Sequence, residues 1–233
     1  MMQYGMPTSA SRPRAEVVNE FLRGVYAWMS GGLLLTAGVA WATVTIEPLL
    51  AFAVNAMIFL ILAELGLVFF LSMRIRQMSP STATGSFLGY SALNGLTLAP
   101  ILLVYTQQSV AATFIVAAGM FGTMSLYGLL TKKDLTSWGS LLFMGLIGIV
   151  LASVVNMFLH SGTMGFVISI IGVFIFLGLT AYDTQRLKIM GETAPAGDVG
   201  ALRKMAIMGA LQLYLDFINL FLFLLRFMGV SRD

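Results

Sequence analysis

Between Ala210 and Arg226 the chain runs Leu-Gln-Leu-Tyr-Leu-Asp-Phe-Ile-Asn-Leu-Phe-Leu-Phe-Leu-Leu, an apolar stretch long enough to cross a bilayer, with Asp216 in its middle. A carboxylate at that depth costs from about 3 to more than about 10 kcal/mol, so it almost always faces the protein interior or a water-filled path. Gln212, Asp216 and Asn219 are spaced i, i+4, i+7 and share one stripe of a helix, while Leu, Ile and Phe fill the other faces. The stripe has to look inward, and the rest of the chain has to wrap it.

The rest of the chain is suited to that task. Of 233 residues, 58% are hydrophobic and only 10% are charged, with a mean hydropathy of +0.91. Soluble domains carry about 25% charged residues, so a water-soluble fold is excluded. The net charge of +3 does not point to nucleic acid, because the basic residues stand in twos and threes between apolar runs. Cysteine is absent, which excludes disulfides, thiolate metal sites and cysteine nucleophiles. Residues 1–20 are polar, carrying Arg12, Arg14, Glu16 and Glu20, and show no cleavable signal. They read as a cytoplasmic arm, helical from Ala15 as it nears the membrane.

Seven apolar spans follow, at about 23–44, 49–73, 83–105, 109–131, 138–159, 164–186 and 205–228, each near the roughly 20 residues a bilayer needs. The expected fold is therefore all-α: a single seven-helix transmembrane domain over residues 21–233. Arg12, Arg14, Arg23, Arg74, Arg76, Lys132, Lys133, Arg186, Lys188, Arg203 and Lys204 all fall on one side, eleven of the 13 basic residues. By the positive-inside rule that side, with the N-terminus, is cytoplasmic. Arg226 and Arg232 would follow the rule if the last span were re-entrant. Its 24 residues, at about 1.5 Å each, reach roughly 36 Å and favour a full crossing. Small residues four apart (Ala118 and Gly122, Gly148 and Ala152, Gly165 and Ser169) suit close helix contacts. The longest loop, about 187–204, reads as a flexible connection.

Few groups within the spans can carry chemistry. Glu64 is central in the second, Asp183 lies in the last turn of the sixth, and Asp216 is central in the seventh; Asn55, Asn94 and Asn156 add amides. Each has a plain alternative. Asp216 can simply bond to neighbouring helices, Asp183 can pair at the interface with Arg186, and Glu64 can serve a facing Asn. His160 reads as a solvated loop residue. An aspartyl protease would need Gly-x-Gly-Asp, a serine protease a membrane-embedded histidine, and zinc a His or Cys cluster; none is present. No catalytic residue and no cofactor is expected.

Gly178-Leu-Thr-Ala-Tyr-Asp-Thr-Gln185 and Leu213-Tyr-Leu-Asp-Phe-Ile-Asn-Leu-Phe221 resemble the paired signatures of the Bax inhibitor-one family, the transmembrane Bax inhibitor motif proteins. The resemblance covers nearly the whole chain, including Lys132-Lys-Asp-Leu135 and Asn156, and is nearest the bacterial inner-membrane branch. It implies six helices around a central seventh and a pH-sensitive calcium leak. It also implies that Asp183 and Asp216 form a buried pair sharing protons, latched by an arginine at the end of the second span. Two carboxylates in contact cannot both ionise cheaply, so such a pair titrates as one coupled unit. In Ser72-Met-Arg-Ile-Arg-Gln77, Arg74 is favoured as the latch over Arg76. Tyr182, Gln212, Glu64 and Asn219 are the supporting or pathway residues. One tension remains: ideal perpendicular helices would hold Asp183 and Asp216 roughly 12 Å apart in depth, so contact requires the seventh helix to start in the cytoplasm or to tilt.

Two functions follow as expectations. In the first, the chain is a proton-gated cation leak in which Ca²⁺ is the transported ion, held weakly by Asp183 and Asp216. In the second, it is a membrane-embedded partner of a protease or the stress-response machinery, without transport. The lipid bilayer is the surrounding medium in both.

Overall fold

The computed structural model describes residues 14–75, 77–195 and 198–232. Eight helices are formed: α1 (Arg14–Thr45), α2 (Glu47–Asn55), α3 (Met57–Arg74), α4 (Pro80–Leu103), α5 (Gln107–Leu130), α6 (Thr136–Leu159), α7 (Gly162–Glu192) and α8 (Val199–Met228). Seven are long and apolar enough to cross a membrane. The second expected span is not one helix. It breaks at Ala56, between the short α2 and α3, a local bend that its unbroken hydropathy does not reveal.

Helix ends differ most where the sequence turns polar. α1 starts at Arg14, close to the Ala15 expected for the arm, whereas α8 starts at Val199 before the expected 205 and α7 runs on to Glu192 past the expected 186. Hydropathy marks the bilayer, not the helix. The extensions are held by packing outside it: Arg14 Nη1 donates to the Ala194 carbonyl at 3.0 Å, and Phe21 lies against Gly191. Asp198 caps α8 by accepting from the Ala201 N–H at 2.8 Å.

α8 is the centre. Two-thirds of its apolar window is buried (67%), against 6% for α6 and 11% for α3. α1, α4, α5 and α7 pack directly on α8, while α3 leans on α4 and α6 on α7. The surround is thus four close helices with two outriggers. The helix also runs the length of the bundle. Its first turn lies by the α1 end, where the Arg203 guanidinium sits 5.3 Å from the Trp28 ring centroid. Its far end is followed by a tail tied to the α4–α5 turn: Thr106 N–H donates to the Val230 carbonyl at 3.0 Å, and Arg232 N–H to that of Val104 at 2.9 Å.

The small-residue pairs mark close approaches only in part. Gly122 and Gly148 have nothing within 4 Å of a would-be Cβ, whereas one at Gly165 would stand 3.3 Å from the Asn156 amide. Gly209 is a tight point outside those pairs: a Cβ there would stand 2.6 Å from Leu187 of α7 and 3.0 Å from Val25 of α1.

Candidate functional site

The α7–α8 register decides what meets. A tight hairpin would set Leu187 against Lys204, but Leu187 rests on Gly209. The early turns of α8 lean instead toward α4, where Gly200 approaches Pro80. Further along, Phe176 stacks on Phe223 with ring centroids 5.7 Å apart, over Gly172. That slant offsets the depth difference between Asp183 and Asp216.

The two carboxyls come within hydrogen-bonding reach of each other, and each residue is only 5% exposed. The Gln212 side chain, one turn before Asp216, also lies close to Asp183, and Arg186 is near enough for its charge to act on Asp183. Asp216 Oδ2 is buried without a hydrogen-bond partner among the described residues. A cavity of about 930 Å³ opens from the N-terminal end of the bundle, lined in part by Ser72, Ile75, Arg186, Thr193, Lys204 and Gln212. Neither aspartate lines this cavity; Gln212 and Arg186, which do, are the residues that link it to Asp183. Beyond the pair the aromatic stack of Phe176 and Phe223 closes the α7–α8 seam.

The other expected residues are dispersed. Asn219 continues the stripe but donates to its own helix, Nδ2 to the Leu215 carbonyl at 2.8 Å. Tyr182 is turned toward Gly139 of α6. Arg74 is exposed at the end of α3 and donates to Gln77 Oε1 at 3.4 Å; its neighbours Met73 and Ile75 line the cavity. Arg76 lies outside the described residues. Glu64 stands on α3, half-exposed, accepting from the Thr97 hydroxyl at 2.7 Å.

Glu64 leads to a second polar centre, on another face of α8. The Tyr214 hydroxyl is 2.6 Å from that of Thr36, which lies 2.9 Å from the Gly32 and Ser91 carbonyls. With its single proton Thr36 donates to a carbonyl and accepts from Tyr214. Phe87 and Tyr90 meet the Tyr214 ring edge-on, each 5.9 Å away, and Asn94 donates to Tyr90 at 3.5 Å. The signal for this centre was present: Tyr90, Asn94 and Thr97 repeat the i, i+4, i+7 spacing on α4. Gln185 has a role that spacing could not show. Its amide clamps the α5–α6 turn, accepting from Leu135 N–H and donating to the Lys133 carbonyl, both at 2.8 Å.

A last helix enclosed by the others, with its acid meeting an acid of the preceding helix, defines a polytopic membrane bundle with an ionisable centre. The chain belongs to the Bax inhibitor-one family: the family model described as inhibitor of apoptosis-promoting Bax1 matches residues 18–233. It is 50% identical over 235 residues to the inner membrane protein YbhL of Escherichia coli K12, covering 100% of both chains. A Borreliella burgdorferi protein is 48% identical over 220 residues, covering 93% of this chain and 94% of the relative. A Rickettsia prowazekii protein, RP147, is 42% identical over 228 residues, covering 97% and 96%.

Proposed function

We propose that this protein is a passive cation leak, suited to Ca²⁺, whose gate is the proton occupancy of the Asp183–Asp216 pair. The observation that carries the reading is the contact between two buried carboxyls, linked through Gln212 and Arg186 to a cavity open to one side. Two carboxylates in contact hold one proton between them more cheaply than two charges. Their oxygens, with the Gln212 amide, are hard ligands of the kind Ca²⁺ takes. No group of three His, Cys, Asp or Glu able to hold a metal occurs among the described residues, so binding would be weak, as conduction requires. In this reading the stacked phenylalanines beyond the pair are the barrier of a closed form.

In this reading the singly protonated pair keeps one negative charge, which holds a guanidinium over the cavity mouth. Arg186 stands near it, and a turn at the end of α3 would bring Arg74 there as the latch. Acidification adds the second proton, removes that charge and releases the mouth, so leak rises as pH falls. By analogy with YbhL the protein resides in an inner membrane, and the one-sided distribution of its basic residues favours an N-terminus inside. The chain has no cysteine of its own, so engineered ones report this directly. Cysteine at Glu47, Gln108 or Gly162 should label from outside, whereas cysteine at Gln77 or Lys133 should stay protected; the reverse pattern sinks the orientation. Purified protein in liposomes should pass Ca²⁺ unaided, more at about pH 5 than at about pH 8. A pure partner protein would pass none.

A further inference from the structure

At the bundle end opposite the N-terminus, between the α6–α7 turn and the last turn of α8, lies another open cavity of about 730 Å³. Its polar lining is Ser153, Asn156, His160, Ser161 and Arg226, with no carboxylate. Arg226 has no ion pair or hydrogen bond among the described residues. Asn156 commits its carbonyl oxygen to the Ser161 N–H at 3.1 Å, which leaves its NH₂ as the available group, beside Gly165. The Ser161 oxygen accepts from the Met164 N–H at 3.3 Å, which leaves its hydroxyl proton to give. The imidazole of His160 is engaged through Nδ1 with the Phe158 carbonyl, 3.1 Å away.

The cavity therefore presents a cation, an amide donor and hydroxyl donors, and no counter-charge. That is the chemistry of an anion site, and the guanidinium fork matches phosphate oxygens. The first-turn amides of α7 add a field of the same sign. The rim favours an anion that carries an apolar body: Met157 is 63% exposed and Phe166 50%, both on the membrane-facing side. We propose that this cavity binds the phosphate group of a phospholipid in the adjoining leaflet, with its acyl chains lying against Met157 and Phe166. The site is independent of the leak, being at the other end of the bundle from the cavity linked to the acid pair.

The test uses the full chain purified in detergent. Native mass spectrometry counts phosphatidylglycerol retained, and ³¹P line broadening reports binding of inorganic phosphate alone. Wild type should retain one phosphatidylglycerol. R226Q and N156L should each lower its affinity roughly tenfold or more, the loss of a charge-assisted or amide hydrogen bond, and R226K should fall between. R232Q, a cation near the same end but outside the lining, should behave as wild type. Thermal unfolding confirms that each variant is folded; if R226Q is not, N156L carries the test. Undiminished retention in the folded variants overturns the site, as does an equal loss in R232Q. Phosphate binding that depends on Arg226 without any lipid retention would leave a free-anion site and overturn the lipid assignment.

Discussion

Two polar centres flank α8, and they are built on opposite logics. Around Tyr214, hydroxyls give and take in a chain with Thr36, and Glu64 receives a proton donor in Thr97. Only Asn94 Oδ1 is buried without a partner there among the described residues. Around Asp216 the nearest neighbour is another acid, one oxygen is unpartnered, and a cavity stands at the door. Hydroxyls satisfy one another whatever the pH. Two carboxyls in contact cannot both ionise cheaply, so the second centre is the one whose state depends on protons. In the function proposed above, the first centre is structural and the second responds.

The sharpest way to break that assignment is to neutralise the acids. Asp183→Asn and Asp216→Asn should each flatten the pH dependence of Ca²⁺ flux, a change of about 1.4 kcal/mol or more in the gate, or about tenfold in leak. The double substitution should add little, since groups that titrate together are not additive. Simple additivity, or a pH response that survives in the double variant, would make the pair structural. A second test works from the other face. Tyr214→Phe leaves Thr36 without its donor and should cost about 1 kcal/mol of stability, read as a lower unfolding temperature, with the pH response intact. If Tyr214→Phe instead abolishes the response, the two centres are one.

Smaller effects bear on the mouth. Arg74→Ala should raise resting leak a few-fold, worth roughly 1 kcal/mol in an exposed ion pair, and Arg76→Ala less. A larger effect from Arg76→Ala would move the latch but keep the idea. The least effect should come from Asp134, in the exposed α5–α6 turn. The Thr136 hydroxyl, then its N–H, hold that carboxyl below its ordinary range. It therefore stays ionised well below neutral pH, and Asp134→Asn should leave the flux profile unchanged. A shift in that profile would place part of the sensor outside the membrane.

The spans were legible because lipid tolerates only long apolar helices, and Asp216 was legible because its cost demands a reason. Its partner, Asp183, came from the family resemblance and not from the spacing of the residues. Whether Asp183 meets it depends on the slant of α8, which Gly209 and Leu187 set through contacts no periodicity records. The polar stripe was half right: Gln212 and Asp216 reach Asp183, whereas Asn219 turns back on the Leu215 carbonyl. Hydropathy likewise missed the break at Ala56, because both halves of that span are apolar. Gln185 was hidden for a different reason. Its partners are backbone atoms of another loop, and backbone atoms carry no sequence signal.

The helix at the middle of the bundle is also the last of the eight to leave the ribosome. Until α8 arrives, Thr36 has no tyrosine, Asp183 has no acid beside it, and α1, α4, α5 and α7 surround nothing. α1 can already pack on α4, and α7 on α5 and α6, but the space these helices leave in the middle is filled only when the final crossing arrives. A chain cut short before α8 should therefore keep those outer seams and lack both polar centres at once.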